Sequence, residues 1–118
     1  ASAVLEELKK GEIFVRVRRS GVMLREELER LAAMFPSVGD VRSAGLMGAV
    51  EFVKSRSGKE PDAALAREVF FRARQNGLEA ILSGHILRLA PPLNVAAADL
   101  EEGMAILRRS IEQVTKKG

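Results

Sequence analysis

The sequence predicts an α+β fold: a small, mostly antiparallel sheet of about four strands with helices packed on one face. Three observations lead there. Apolar residues recur at helical spacing in three long segments, and they alternate with polar ones in short segments between those. The segments also follow in a fixed order: helices, two strands, a helix, two strands and a last helix. At 118 residues the chain fits one domain, spanning 1–118.

Val4, Leu5 and Leu8 fit one face of a short helix, and Lys9-Lys10-Gly11 suits its C-terminus, with cations against the helix dipole and then glycine. A longer helix is expected from Glu12 to Phe35. Val17, Leu24, Leu28, Leu31 and Phe35 form its apolar stripe, while Arg25, Glu26, Glu27, Glu29 and Arg30 fill the polar side. Gly21 weakens this helix locally, because glycine gives up the most backbone freedom on folding. Pro36, with no N–H to donate, ends it.

The period then changes to two. Gly39-Asp40-Val41-Arg42-Ser43 predicts a short strand, and Leu46 to Val53 a longer one. In the second, Leu46, Gly48, Val50 and Phe52 share one face, and Met47, Ala49, Glu51 and Val53 the other. Lys54 to Glu60 is a polar loop. Pro61 and Asp62 open the next helix, with Asp62 as N-cap and Leu65, Ala66, Val69, Phe70 and Ala73 as its buried stripe. Asn76-Gly77 supplies a left-handed C-cap against which Leu78 packs back.

Leu78 to Leu82 is expected as a short strand, Ser83-Gly84 as a turn and Ile86 to Leu89 as the next strand. Pro91-Pro92 stops it, since neither residue can donate to a ladder. The final helix runs from Ala97 to Thr115 with Leu100, Met104, Leu107, Ile111 and Val114 on one side. Its start is acidic (Asp99, Glu101, Glu102) and its end basic (Lys116, Lys117), as the dipole favours.

Composition narrows the function classes. Hydrophobic residues make up 47% and charged residues 30%, the balance of a globular rather than a disordered chain. No apolar run is long enough to span a bilayer, and no secretory signal is visible. With no cysteine, disulfides, thiolate metal sites and cysteine nucleophiles are excluded, and a cytoplasmic location is expected. The net charge of +3 is small, and its one basic cluster is Arg16, Arg18 and Arg19. Without Trp or Tyr an aromatic stacking platform is not expected, so these arginines read as a solvated or interface helix face rather than a nucleic-acid surface. The opening Ala1-Ser2-Ala3-Val4-Leu5-Glu6-Glu7-Leu8 is already helical in pattern and lacks an initiator methionine, which reads as a cut inside a longer protein.

A search for catalytic groups finds none. There is a single histidine, His85, at a strand edge after a turn; with no second ligand at metal spacing it reads as a surface or capping residue. Gly45-Leu46-Met47-Gly48 lacks the third glycine and the strand–turn–helix order of a phosphate-binding loop, and reads instead as close packing of a strand start against a helix. Arg88 stands out. Alternation puts Leu87 and Leu89 on one face of the strand and Ile86 and Arg88 on the other, so its guanidinium points away from the core. A planar guanidinium matches a carboxylate bidentately, as lysine cannot. An arginine on an exposed strand face making a weak surface ion pair fits the spacing equally well.

Ile86-Leu87-Arg88-Leu89-Ala90-Pro91-Pro92-Leu93 resembles the closing motif of the class III aminotransferases (ornithine, acetylornithine and 4-aminobutyrate type). Val38-Gly39-Asp40-Val41-Arg42-Ser43-Ala44-Gly45-Leu46-Met47 is similar to that family's strand leading into a Gly-Leu-Met turn. Lys59-Glu60-Pro61 before a helix ending in Asn76-Gly77-Leu78, and the terminal Asp99-Leu100-Glu101-Glu102-Gly103, match in the same order. The resemblance runs from about Ala1 to Val114. It implies the small C-terminal domain of a fold-type I pyridoxal-phosphate enzyme that works as a homodimer, with active sites between large and small domains. It further implies that Arg88 binds the substrate α-carboxylate, that the cofactor lysine and phosphate-binding segment belong to a large domain absent from this chain, and that the isolated chain binds no cofactor and has no turnover. Two departures stand out. The helix carrying Arg16, Arg18 and Arg19 is commonly more acidic in that family, and Ala96 stands where Thr or Ser usually caps the last helix, leaving Asp99 without a capping partner. Two other readings compete: a stand-alone α+β module binding an amino acid or other carboxylate through Arg88, and a basic scaffold or nucleic-acid module.

Overall fold

The computed structural model of the chain describes residues 3–55, 57–91 and 95–115, with side chains from Arg18 onward. Three helices, α1 (Ala3–Met34), α2 (Ala63–Gln75) and α3 (Ala97–Thr115), accompany four strands, β1 (Val38–Ala44), β2 (Met47–Phe52), β3 (Ile81–Ser83) and β4 (Ile86–Leu89). The strands form one sheet in the order β1-β2-β4-β3, and every pairing is antiparallel. This is the expected α+β arrangement.

Both hairpins turn in the same way. The β1–β2 turn places Gly45 at φ +60° before Leu46, and the β3–β4 turn places Gly84 at φ +62° before His85. A glycine at positive φ in the first turn position is what a type II′ connection demands, and its twist suits paired strands. Between the hairpins, α2 carries the chain from β2 to the far edge of the sheet, and β4 then returns beside β2. β4 is therefore hydrogen-bonded on both sides.

One face of the sheet is covered. Gly48, Val50 and Phe52 of β2 and Leu87 and Leu89 of β4 are buried, and α1 and α2 pack over them. Leu24, Leu28 and Leu31 of α1, and Phe35 just past its end, join Ala66 and Val69 of α2 in this core. Each such leucine, valine or phenylalanine contributes about 1.5–3 kcal/mol on burial, more than any exposed ion pair. α3 packs on α2 and α1 through Leu100, Met104, Leu107, Ile111 and Val114. Its one fully buried polar residue, Ser110, donates to Ile106 O at 2.8 Å and accepts from Asn76 Nδ2 at 3.0 Å. Asn76 Nδ2 also reaches Gln113 Oε1 at 3.2 Å, so the end of α2 is tied to α3 by hydrogen bonds as well as by packing.

The helix ends follow the residues expected to make them. Asp62 Oδ1 accepts from Leu65 N at 3.0 Å, capping α2. At the other end Gly77 has φ +100°, Gly77 N donates to Arg74 O at 3.1 Å and Leu78 N to Ala73 O at 2.8 Å, the paired bonds of a Schellman cap. Leu100 N donates to Ala96 O at 3.0 Å, which makes Ala96 the N-cap of α3. Lys116 and Lys117 lie outside the described residues, as do Pro92 and Leu93 of the proline motif.

Three expectations are corrected. The helix expected to stop at Lys9-Lys10-Gly11 runs on unbroken as part of α1, because one interior glycine costs about 1 kcal/mol and permits a stop without compelling one. The strand expected over Leu78–Leu82 is instead Ile81–Ser83, since the Leu78 N–H is already committed to the α2 cap, and the turn falls on Gly84-His85. Val53 is 5% exposed rather than sharing the open face with Met47, Ala49 and Glu51. Past Phe52 it pairs with Pro61, opposite a register irregularity at Gly39, and packs so tightly on Gly39 that a Cβ there would lie 2.6 Å from a Val53 methyl.

The glycines of the Gly45-Leu46-Met47-Gly48 segment do serve close packing. A Cβ on Gly48 would come within 3.0 Å of Leu28 Cδ1, and a Cβ on Gly21 of α1 would sit 2.9 Å from Gly45 O.

Candidate functional site

Alternation along β4 decides where Arg88 points. Leu87 (0% exposed) and Leu89 (5%) are held in the core, so Ile86 and Arg88 stand on the opposite, helix-free face. The register joins four residues into a row across that face: Arg42 pairs with Ala49, Ala49 with Arg88, and Arg88 with Ile81. A shallow depression of about 360 Å³ lies along this row, with Arg42, Met47, Ala49, Ile81, Ile86 and Arg88 in its walls. Two of its walls are apolar and unusually open, Met47 at 63% and Ile81 at 57% exposure.

Arg88 is exposed and, among the described residues, makes no ion pair and no side-chain hydrogen bond. The other charged groups of the face are engaged with one another. Arg42 Nη2 lies 3.2 Å from Glu51 Oε2 and Arg42 Nε 3.4 Å from Asp40 Oδ2. Glu51 Oε1 lies 3.2 Å from His85 Nε2, which donates when that nitrogen carries the proton. Glu51 is thus held at both oxygens, and its side chain is 19% exposed. His85, with no second ligand at metal spacing in the sequence, finds an acidic partner 34 residues away.

This arrangement can bind but has no means of bond cleavage among the described residues. An unpaired guanidinium beside apolar surface suits a carboxylate borne on an apolar body. Among the described residues no hydroxyl is hydrogen-bonded to His85, whose ring partner is Glu51. No group of three or more His, Asp or Glu could hold a metal ion among the described residues. Of the basic cluster, Arg18 and Arg19 are exposed on α1, and the Arg16 side chain lies outside the description. No described helix is long and apolar enough to cross a membrane. A second cavity, of about 370 Å³, lies on the helix side between Leu24, Leu89 and Met104; its lining holds no cation, and its two acids, Glu79 and Asp99, give it no means of gripping a carboxylate.

Arg88 was legible as an outward-facing group; Arg42, Glu51 and His85 were not recognised as its neighbours. They sit on β1, on β2 and in the β3–β4 turn, and only the pairing register brings them together. A local signal existed for Glu51 alone, whose alternation with Val50 and Phe52 already put it on the open face.

The aminotransferase class-III family model matches residues 1–111. Among curated relatives, the chain is 36% identical over 115 residues to the leucine/methionine racemase of Thermococcus litoralis, covering 97% of this chain and 26% of that protein. It is 32% identical over 114 residues to a probable 4-aminobutyrate aminotransferase of Bacillus subtilis, covering 94% and 26%. Among solved structures, the omega transaminase from Pseudomonas jessenii in complex with PMP superposes with a TM-score of 0.86 at 26% identity, covering 95% of this chain and 25% of that one. The chain thus spans about a quarter of the length of the relatives it matches. The match takes in all four strands and nearly all of the helical layer, including the hairpins and the helix caps described above. The chain belongs to the class-III aminotransferase family.

Proposed function

We propose that this chain is a single C-terminal small domain of a pyridoxal-phosphate-dependent aminotransferase, in which Arg88 grips the α-carboxylate of an amino-acid substrate. The observation that carries the proposal is a guanidinium, unpaired among the described residues, on a doubly bonded central strand and aimed away from the domain's own core. Family membership and the share of each relative covered support the rest.

Pyridoxal phosphate, bound by the whole protein, supplies the electron sink for moving an amino group between an amino acid and a 2-oxo acid or aldehyde. The described residues of this chain fit a substrate carboxylate better than the cofactor. The open face carries guanidinium groups but no lysine among the described residues, and Lys54 pairs with Glu60 at 3.7 Å in the loop after β2. The cofactor lysine is accordingly assigned to the large domain, and the isolated chain to a form that neither binds the cofactor nor turns over. The large domain and a second subunit are the proposed partners, the open apolar walls Met47 and Ile81 being surface for such contact. The cytoplasm is the proposed location, in keeping with the absence of cysteine.

The test is Arg88→Lys in the whole protein. Losing bidentate geometry should lower kcat/KM for α-carboxylate substrates by about 10- to 100-fold, the scale of hydrogen bonds to a charged group. Unaltered kinetics would remove Arg88 from the site. A second reading is favoured by the 36% identity to a leucine/methionine racemase: the whole protein inverts an amino acid instead of transferring its amino group. L-leucine incubated with the holoenzyme separates the two. Appearance of D-leucine without any added 2-oxo acid supports racemisation; consumption only when a 2-oxo acid is supplied supports transfer. A stand-alone binding module would instead hold amino acids without cofactor, and binding of L-leucine by this chain alone would favour it.

A further inference from the structure

We infer that Arg42 and His85 are positioning residues that keep Arg88 available to substrate by occupying the carboxylate diagonal to it on its own sheet face, that of Glu51. The inference rests on the reading of Arg88 as a carboxylate clamp.

Glu51 pairs with Ile86 in the β2–β4 register, and Ala49 with Arg88, so Glu51 and Arg88 are diagonal neighbours on the open face. Diagonal neighbours stand about 7–8 Å apart at the backbone, within reach of two long side chains. A glutamate so placed is the natural partner for an arginine. Glu51 is nonetheless engaged elsewhere: Oε2 faces Arg42 Nη2 at 3.2 Å and Oε1 faces His85 Nε2 at 3.2 Å. Arg42 is fixed in turn by Asp40, at 3.4 Å. Both Glu51 oxygens are taken, from β1 on one side and from the β3–β4 turn on the other, and Arg88 is left unpaired among the described residues. Removing either partner frees an oxygen for Arg88, and an incoming carboxylate must then displace it.

The experiment measures binding to the cofactor-loaded whole protein. 4-Methylpentanoate is the probe, and the neutral 4-methylpentanamide is its control. Arg42→Gln should weaken 4-methylpentanoate about fourfold, the scale of one partly screened ion pair, while the amide keeps its affinity. His85→Ala should shift the acid in the same direction. Glu51→Gln should restore the acid when added to Arg42→Gln, tightening binding by about fourfold more there than in the unaltered protein. A simple loss of positive field on removing Arg42 predicts equal effects of Glu51→Gln in the two backgrounds, and that result overturns the inference. So do an unchanged acid affinity in Arg42→Gln, or equal losses for acid and amide. Arg88→Lys measured alongside separates the two levels. If it weakens the acid and Arg42→Gln does not, the inference fails alone; if Arg88→Lys changes nothing, or the acid does not bind at all, the clamp fails and the inference with it.

Discussion

A methyl group added at position 21 measures how closely α1 rides on the first hairpin. A Cβ there would lie 2.9 Å from Gly45 O and 3.3 Å from Gly45 C, the first closer than real Cβ atoms approach. Gly45 is held at φ +60° in a two-residue turn, so its peptide cannot swing aside cheaply. Two effects oppose each other. Alanine for glycine inside a helix favours folding by about 0.8–1.0 kcal/mol, whereas forcing a methyl into a closed contact costs about 1–3 kcal/mol. Because the obstacle is backbone, the second wins, and Gly21→Ala should destabilise the chain by on the order of 1 kcal/mol. Gly103→Ala in α3 is the matched control. Its Cβ would meet only Leu78 Cδ1, at 3.4 Å, an ordinary contact with a side-chain tip. It should stabilise by about 0.8–1.0 kcal/mol. The assay is urea unfolding of both variants followed by far-ultraviolet circular dichroism, with the slope checked for constancy. The two midpoints should move in opposite directions, by about 4–8 °C per kcal/mol in a parallel thermal scan. If Gly21→Ala stabilises as much as Gly103→Ala, the close approach of α1 to the turn is refuted.

Two further changes probe the helix caps. Ala96→Ser gives the start of α3 a hydroxyl to accept from the Asp99 N–H and should raise stability by about 1 kcal/mol; an unchanged melting midpoint would place the helix start elsewhere. Asp62→Ala removes the acceptor 3.0 Å from Leu65 N and should cost about 1 kcal/mol in the same denaturation assay, with Asp62→Asn recovering most of the loss.

Local rules carried most of the fold. Asp62, Asn76-Gly77 and Pro36 mark helix ends through chemistry confined to a few neighbouring residues, and the elements end where they indicate. The apolar stripe of α3 followed from its spacing alone, but not the buried Ser110, which answers to Asn76 of α2. The misjudged places are those where a residue answers to something distant. Gly11 looked like a helix stop because its own neighbours suit one, yet the chain continues. Gly21 reads as a mere weakness until Gly45 is set against it. The start of β3 was mistaken because Leu78 serves α2 first. The site follows the same division: the face of Arg88 is a matter of strand alternation, legible in four residues, whereas its lack of a partner depends on Glu51 having found two others across the register.

The strand order also has a consequence for how such a site could be retuned. In the row Ile81–Arg88–Ala49–Arg42 the two inner members sit on strands bonded along both sides, while the outer two sit on strands with one free edge. Substitutions at Ile81 can reshape the wall while the anchor keeps its place, whereas a change at Arg42 also releases Glu51 toward it. A lineage, or an engineer, could therefore explore new substrates from the margins inward, altering what lies beside the arginine long before having to give up the arginine itself.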